Sequence, residues 1–197
     1  VKNELTAFDY AITFTLAYEG GFVNDKDDPG KKTKYGITEW TFRHAKSLNL
    51  VQAERIEDLT EEEAKRIYYS LYWLPLKCDE MPRYAAILTF DTAVNQGHKW
   101  AILHLQKALN DLHLFSKTAM TYRLKEDGII GPKTITALKD MHFRGFRNDK
   151  LTFVRLYCVN RELRYLEIIL NRQALKKFAK GWFRRTSELQ DFAETFV

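Results

Sequence analysis

Glu19 stands where an apolar helical stripe ends. Leu5, Phe8, Ile12 and Leu16 recur at helical spacing, and Glu19 follows Leu16 by three residues, so its carboxylate extends the apolar face instead of opposing it. Partial desolvation at such a place favours the protonated acid, the state that can donate a proton to a glycosidic oxygen near neutral pH. The alternative is a helix-end glutamate that turns back to solvent. The stretch EGGFVNDKDDPGKKTKYGIT then sets Asp25, Asp27 and Asp28 ahead of Pro29-Gly30. Glycosidic cleavage commonly pairs an acid with a second carboxylate that steadies positive charge or activates water. A hairpin could bring one of these aspartates opposite Glu19, although each alone also reads as turn chemistry before a Pro-Gly dipeptide. Thr33 and Tyr35 carry hydroxyls on the far side of the loop. A threonine there can orient an attacking water, or simply bond to backbone.

Other residues offer contacts. Asp91 and Asn95 are four apart and share one helical face. With Gln96 they can hydrogen-bond sugar amides or tie helices together. Tyr72, Trp73 and Trp100 can stack on sugar rings or anchor the core. Competing chemistries lack their patterns. His44, His98, His104, His113 and His142 show no zinc spacing and no HExxH. Lys26 interrupts the acidic run, and a calcium loop's closing glutamate is missing. Gly128 and Gly131 do not form a phosphate loop, and there is no Gly-x-Ser-x-Gly elbow. No metal or cofactor is therefore expected. Cys158 falls on an apolar helical face and reads as packing.

The elements that must position these groups are mostly helical. Gly20-Gly21 ends the first helix. Phe22-Val23 and Tyr35-Gly36-Ile37 are short apolar runs that could pair as a small hairpin. A helix then runs from about Thr38 through Trp40, Phe42 and Ala45. Thr60-Glu61-Glu62-Glu63 has capping-box spacing before Ala64, Ile67 and Tyr68, and Pro75 ends that segment. Pro82 opens a helix carrying Tyr84, Leu88, Asp91 and Asn95, which Gly97 closes. Helices follow over Trp100 to Leu112, from Pro132 to Met141, and from after Gly145 through Leu151, Val154, Cys158, Tyr165 and Ile169. A shorter one passes Leu175 and Phe178, and a last lies near Leu189. The fold class is mainly α, with a small β element and a lobe boundary between Gly97 and Trp100, giving regions 1–97 and 98–197.

The 197 residues suit one large domain or two small ones. The net charge is +5, but Met141 to Arg185 holds twelve Lys/Arg against Asp149, Glu162 and Glu167, a local +9 that leaves −4 elsewhere. A basic half favours a polyanion: nucleic acid, anionic lipid or an acidic wall polymer. Arg161, Arg164, Arg172, Lys176, Lys177, Arg184 and Arg185 could track a phosphate backbone or form the solvated side of helices. No recognition helix with base-reading groups stands out. Only Cys78 and Cys158 are present, and a reduced state is the simpler expectation. The opening VKNELTAFDY has no long apolar segment, so neither a secretion signal nor a membrane span is expected. Without a coiled-coil stripe, a monomer is the expectation.

Together the motifs resemble the glycoside hydrolase 108 family of N-acetylmuramidases, found among phage endolysins and prophage-type muramidases. The resemblance rests on EGGFVNDKDDPGKKTKYGIT, on YWLPL at Tyr72 to Leu76, on FDTAVNQG at Phe90 to Gly97, and on LQKAL followed by DGIIGPKT. It covers nearly the whole chain, with the separated motifs in order. It implies a lysozyme-like α+β catalytic region and a C-terminal helical region of peptidoglycan-binding type. By the same resemblance Glu19 is the catalytic glutamate, Asp28 the aspartate before Pro-Gly, and Thr33 the threonine before Tyr-Gly-Ile. Tyr35, Tyr72, Trp73, Asp91, Asn95 and Gln96 are the candidate substrate-binding residues. Lys31-Lys32 stands where many relatives resemble Gly-Ala, adding positive charge at the cleft edge. The implied reaction is hydrolysis of the β-1,4 bond between N-acetylmuramic acid and N-acetylglucosamine in peptidoglycan. A lytic transglycosylase, or a non-catalytic wall- or nucleic-acid-binding module, is the alternative. The implied setting is synthesis in the cytoplasm and action in the periplasm or wall after release by a pore, lysis or export.

Overall fold

Thr6 opens the first helix. Its hydroxyl accepts from the Asp9 amide at 3.2 Å, while Asp9 accepts from the Thr6 amide at 2.7 Å, a reciprocal cap that starts α1 (Ala7–Tyr18). The computed structural model describes residues 4–19, 32–116 and 123–197. It divides into two compact units, Val1–Pro75 and Leu76–Val197. Among the described residues the architecture is helical apart from one antiparallel hairpin, as the sequence predicts.

In the first unit α1 buries Ala11, Ile12 and Thr15. The hairpin pairs β1 (Thr33–Lys34) with β2 (Ile37–Thr38), Thr33 opposite Thr38 and Lys34 opposite Ile37. The expected pairing used Phe22-Val23, which lie outside the described residues; here Tyr35-Gly36 forms the turn and only Ile37 belongs to a strand. Both turn residues have positive φ, 54° at Tyr35 and 75° at Gly36, as the two-residue turn that matches strand twist requires. The Thr38 hydroxyl then accepts from the Thr41 amide at 3.2 Å and caps α2 (Glu39–Ser47), so strand passes directly into helix. Glu63 serves the expected capping box at Thr60 and starts α3 (Glu61–Tyr68). Its other oxygen accepts from the Gln52 and Ala53 amides at 2.7 and 3.1 Å, which fixes the preceding loop. The chain continues from α3 into a π-helical turn, Tyr69–Trp73. Phe8 packs edge-on to Tyr69 and Trp73, with centroids at 5.0 and 5.3 Å, joining α1 to that turn.

In the second unit α4 (Arg83–Gln96) is buried continuously from Tyr84 to Ala93. A helix apolar on every side needs partners all round, and α5 (His98–Phe115), α7 (Arg147–Asn171) and α8 (Ala179–Glu194) supply them. Gly97, at φ 89°, ends α4 and begins α5 within one residue. Pro132 occupies the first turn of α6 (Pro132–Arg144). The loop before it is held by Gln106, whose side-chain oxygen accepts from the amides of Asp127 and Gly128 at 3.1 and 2.9 Å. Cys78 and Cys158 are both free and buried. Among the described residues no helix is long and apolar enough to cross a membrane.

Candidate active site

Glu19 is the residue that ends α1. Its amide donates to the carbonyls of Thr15 and Leu16 at 3.2 and 3.3 Å, and its backbone leaves the helix at φ −90°, ψ 42°. The side chain is half-buried and lies over the hairpin turn. A Cβ built on Gly36 would come within 2.6 Å of Glu19 Oε2, 2.7 Å of Glu19 Cβ and 2.8 Å of the Tyr68 hydroxyl. Contacts that short do not occur between real side chains, so only glycine lets the carboxylate settle there. The positive φ at Gly36 makes the same demand independently.

The hairpin is held in that place from two sides. The Tyr68 hydroxyl donates to the Tyr35 carbonyl at 2.8 Å, tying the last residue of α3 to the turn. Lys34 Nζ donates to the Glu57 carbonyl at 2.5 Å, and Lys32 Nζ pairs with the Glu57 carboxylate at 2.6 Å. The Lys32 ammonium holds the Glu57 carboxyl below its usual range. Lys32 therefore does not stand as a free charge at a cleft edge, as expected from the Lys31-Lys32 pair, but clamps the hairpin to the 3-10 turn Ile56–Asp58. Lys31 lies outside the described residues.

Tyr72 belongs to the same neighbourhood. Burial raises its phenol above the ordinary value, and the Glu19 charge raises it further. The π turn matters here: one extra residue per turn re-aims the face that carries Tyr72, and such turns recur at functional sites. Trp73, one residue on, is fully buried against Phe8 instead of lying open to stack on a sugar. The exposed tryptophan of this unit is Trp40, at 75 % and stacked on His44 with centroids 5.8 Å apart. Thr33 is half-buried in β1, directly before Lys34. Asp28, with Asp25 and Asp27, lies outside the described residues. Among the described residues the structure thus gathers Glu19, the turn at Tyr35, and Tyr72, and adds Gly36 and Tyr68, which the spacing did not single out. The signal for Gly36 was a Tyr-Gly dipeptide between two strand-forming pairs. For Tyr68 there was none beyond its place on the apolar face of α3.

Asp91, Asn95 and Gln96 belong to the second unit. In place of a sugar, Asp91 meets two guanidiniums. Arg161 Nη1 lies 2.7 Å from Oδ2 and Arg185 Nη2 2.6 Å from Oδ1, with Asp91 1 % exposed. Burial alone would raise this carboxyl, but the two arginines hold it below its usual range. The triad ties α4 to α7 and α8, and it turns two members of the basic run inward, away from any phosphate backbone. Asn95 accepts from the Tyr165 hydroxyl. Gln96 Oε1 faces His104 Nε2 at 2.8 Å, and its Nε2 donates to the Arg161 carbonyl at 3.3 Å. Both are half-buried and border a pocket of this unit. Among the described residues no group of three His, Cys, Asp or Glu could hold a metal ion.

Residues 12–97 match the family described as Glycosyl hydrolase 108, and residues 100–187 match one described as Predicted Peptidoglycan domain. Among solved structures the chain is similar to Brucella abortus SagA, with 27% sequence identity over 96% of this chain and 94% of that one and a TM-score of 0.70. Among curated proteins none matches.

Proposed function

Residues 12–97 match the glycosyl hydrolase 108 family, whose domain indicates a glycoside hydrolase acting on peptidoglycan, and from that match we propose that this chain is an N-acetylmuramidase with Glu19 as general acid. The observation that carries this reading is the seat of Glu19: a helix-ending carboxylate, half-buried, resting on a turn whose glycine leaves room for it. In the reaction the carboxyl of Glu19 gives its proton to the oxygen between C1 of N-acetylmuramic acid and C4 of N-acetylglucosamine. The C1–O bond breaks, positive charge grows on the muramic ring, and the glucosamine leaves with a hydroxyl. Water adds to C1 and its surplus proton returns to a carboxylate. Asp28 steadies the ring charge or, with Thr33, aligns that water. The distance between the two carboxyls sets whether the anomeric configuration is inverted or retained. Neither metal nor cofactor enters the scheme.

The substrate lies outside the cytoplasmic membrane, so the enzyme acts in the periplasm or wall after release by a pore, by lysis or by an export route, and works there as a monomer. The test is Glu19→Gln on purified sacculi. The variant should fold as the parent does and release reducing muramic ends at least about a thousand-fold more slowly, the scale of loss when an essential catalytic group is removed. Parent-like release by that variant defeats the assignment. Mass analysis of the fragments separates hydrolysis from transglycosylation, because only the latter leaves anhydro-muramic ends.

A further inference from the structure

The second unit carries a cationic, aromatic pocket formed where α7 and α8 meet the end of α4. Its inner part, about 200 Å³, reaches Asn95, Gln96 and Trp100. An outer part of about 470 Å³ shares Arg164, Ile168 and Trp182 with it and opens to Asn171, Arg172 and Leu175. The outer volume alone falls in the range of small-ligand sites.

The pocket is built around a fixed cation. The Arg164 guanidinium lies 3.8 Å from the centroid of the Trp100 ring, and its Nη1 is held by Glu167 at 2.5 Å. Its Nε is buried without a hydrogen-bond partner, an unfavourable state. Beside it stands a ladder of rings. Trp182 stacks on Tyr165 with centroids 4.9 Å apart and planes at 20°, and on Phe178 at 6.0 Å and 25°. Two amides border the space with fixed polarity. Asn95 accepts the Tyr165 proton on Oδ1, which leaves its NH2 as donor. Asn171 donates to the Glu167 carbonyl at 2.9 Å, which leaves its Oδ1 as acceptor. Behind Gln96, which lines the inner part, lies His104. His104 is held neutral, pushed down to about 3 by burial and then by Arg161, Lys107 and Arg164.

A carboxylate suits this arrangement better than a phosphate does. Of the two guanidiniums that line the pocket, that of Arg164 already shares its charge with Glu167, which is 54% exposed beside it and would repel a doubly charged group. One donor amide, one acceptor amide and the apolar Ile168 and Leu175 match peptide bonds carrying small side chains. We propose that this pocket receives a carboxylate-ended peptide stem of peptidoglycan, with Arg164 taking the carboxylate, Asn95 and Asn171 the peptide groups, and Trp182 the apolar face. The inference rests on peptidoglycan being the substrate and is independent of Glu19's role.

The experiment titrates a synthetic muramyl dipeptide with a free terminal carboxylate into the full-length Glu19→Gln protein, following tryptophan fluorescence. Amidating the carboxylate should weaken binding roughly ten-fold, the scale of one charge-assisted hydrogen bond. Arg164→Gln should weaken the acid by the same factor and leave acid and amide equal. Arg164→Lys, which keeps the charge but not the planar fork, should fall between. An N-acetylglucosamine oligomer, having no carboxylate, should be indifferent to either substitution. Equal affinity of the parent pocket for acid and amide overturns the proposal and needs no pocket variant. Arg164-dependent capture of a single-stranded oligonucleotide in preference to the muramyl dipeptide overturns it as well. Release of reducing ends from sacculi by the wild-type enzyme is read separately. Loss of the acid–amide difference with intact release therefore sinks the pocket alone, and the converse result sinks the muramidase reading alone.

Discussion

The two units use carboxylates in opposite ways. In the first, Glu19 is half-buried at a helix end, and local devices place it: a cap at Thr6, a glycine turn, and a tyrosine bonded to the turn's carbonyl. In the second, Asp91 is sealed inside and binds two arginines from α7 and α8, 70 and 94 residues away in sequence. A site that must meet a substrate keeps one face open and draws its precision from short-range geometry. A core junction removes its charge from water, and it holds only while every partner is present. Substituting each carboxylate should therefore break different properties.

The largest effect is expected at Asp91. Asp91→Ala leaves Arg161, fully buried, and Arg185, 6 % exposed, without their shared carboxylate. Stranding charges of this kind costs about 3–5 kcal/mol. Urea unfolding should show that loss, whereas Glu19→Gln should shift the midpoint little while removing activity. An Asp91→Ala protein as stable as the parent would erase the contrast.

Acid should separate the units next. His104 belongs to the second unit; burial, then Arg161, Lys107 and Arg164, lower it from 6.5 to about 3. The unfolded chain takes up that proton first, so stability is lost as pH falls from about 6.5 towards 3. Glu63 belongs to the first. Burial would raise it, but the amides of Thr60, Gln52 and Ala53 and the Thr60 hydroxyl bring it from 4.5 down to about 2. Its contribution is whole above pH 4.5 and fades only towards 2. At about 1.4 kcal/mol per pH unit, the His104 shift corresponds to about 5 kcal/mol at most and the Glu63 shift to about 3 kcal/mol at most. Between pH 6.5 and 4.5 the second unit should soften and the first should not, as probes in each unit followed through urea unfolding would report. His104→Gln should flatten that slope, and Glu63→Gln should flatten the one below pH 4.5.

How far the sequence disclosed this follows the same divide. Helix starts at Thr60 and Pro132, the stop at Gly97 and the placing of Glu19 were legible, because caps, prolines, glycines and helical periodicity act over three or four residues. The Asp91 partners were not, since spacing along the chain says nothing about which arginines return to one helix face after 70 residues. Arg161 and Arg185 looked like surface charge for that reason. The hairpin was seen but misregistered: its turn sits at Tyr35-Gly36, and tyrosine at positive φ is not a usual hairpin signal. Trp73 could stack on a sugar or anchor the core by its type alone, and the structure buries it in the core. Asp28 reads as catalytic only through its motif.

The smallest test compares one substitution at two glycines. Gly36→Ala forces a Cβ into contact with Glu19 Oε2 and Tyr68 at a φ of 75°. The turn must strain or the carboxylate must move, so stability should fall by about 1–2 kcal/mol and wall cleavage by roughly a hundred-fold, the scale of a displaced catalytic group. Gly181 sits in the first turns of α8, where an added Cβ meets nothing within 4 Å. There the change only narrows the unfolded ensemble, and Gly181→Ala should stabilise by about 0.4–1 kcal/mol, a rise in Tm of roughly 1–4 °C for a chain of this size. Cleavage should stay at the parent rate. If both alanines lowered stability alike, the difference would lie in glycine itself. Opposite signs would trace it to what each glycine faces: the half-buried Glu19 carboxylate in the first unit, open solvent in the second.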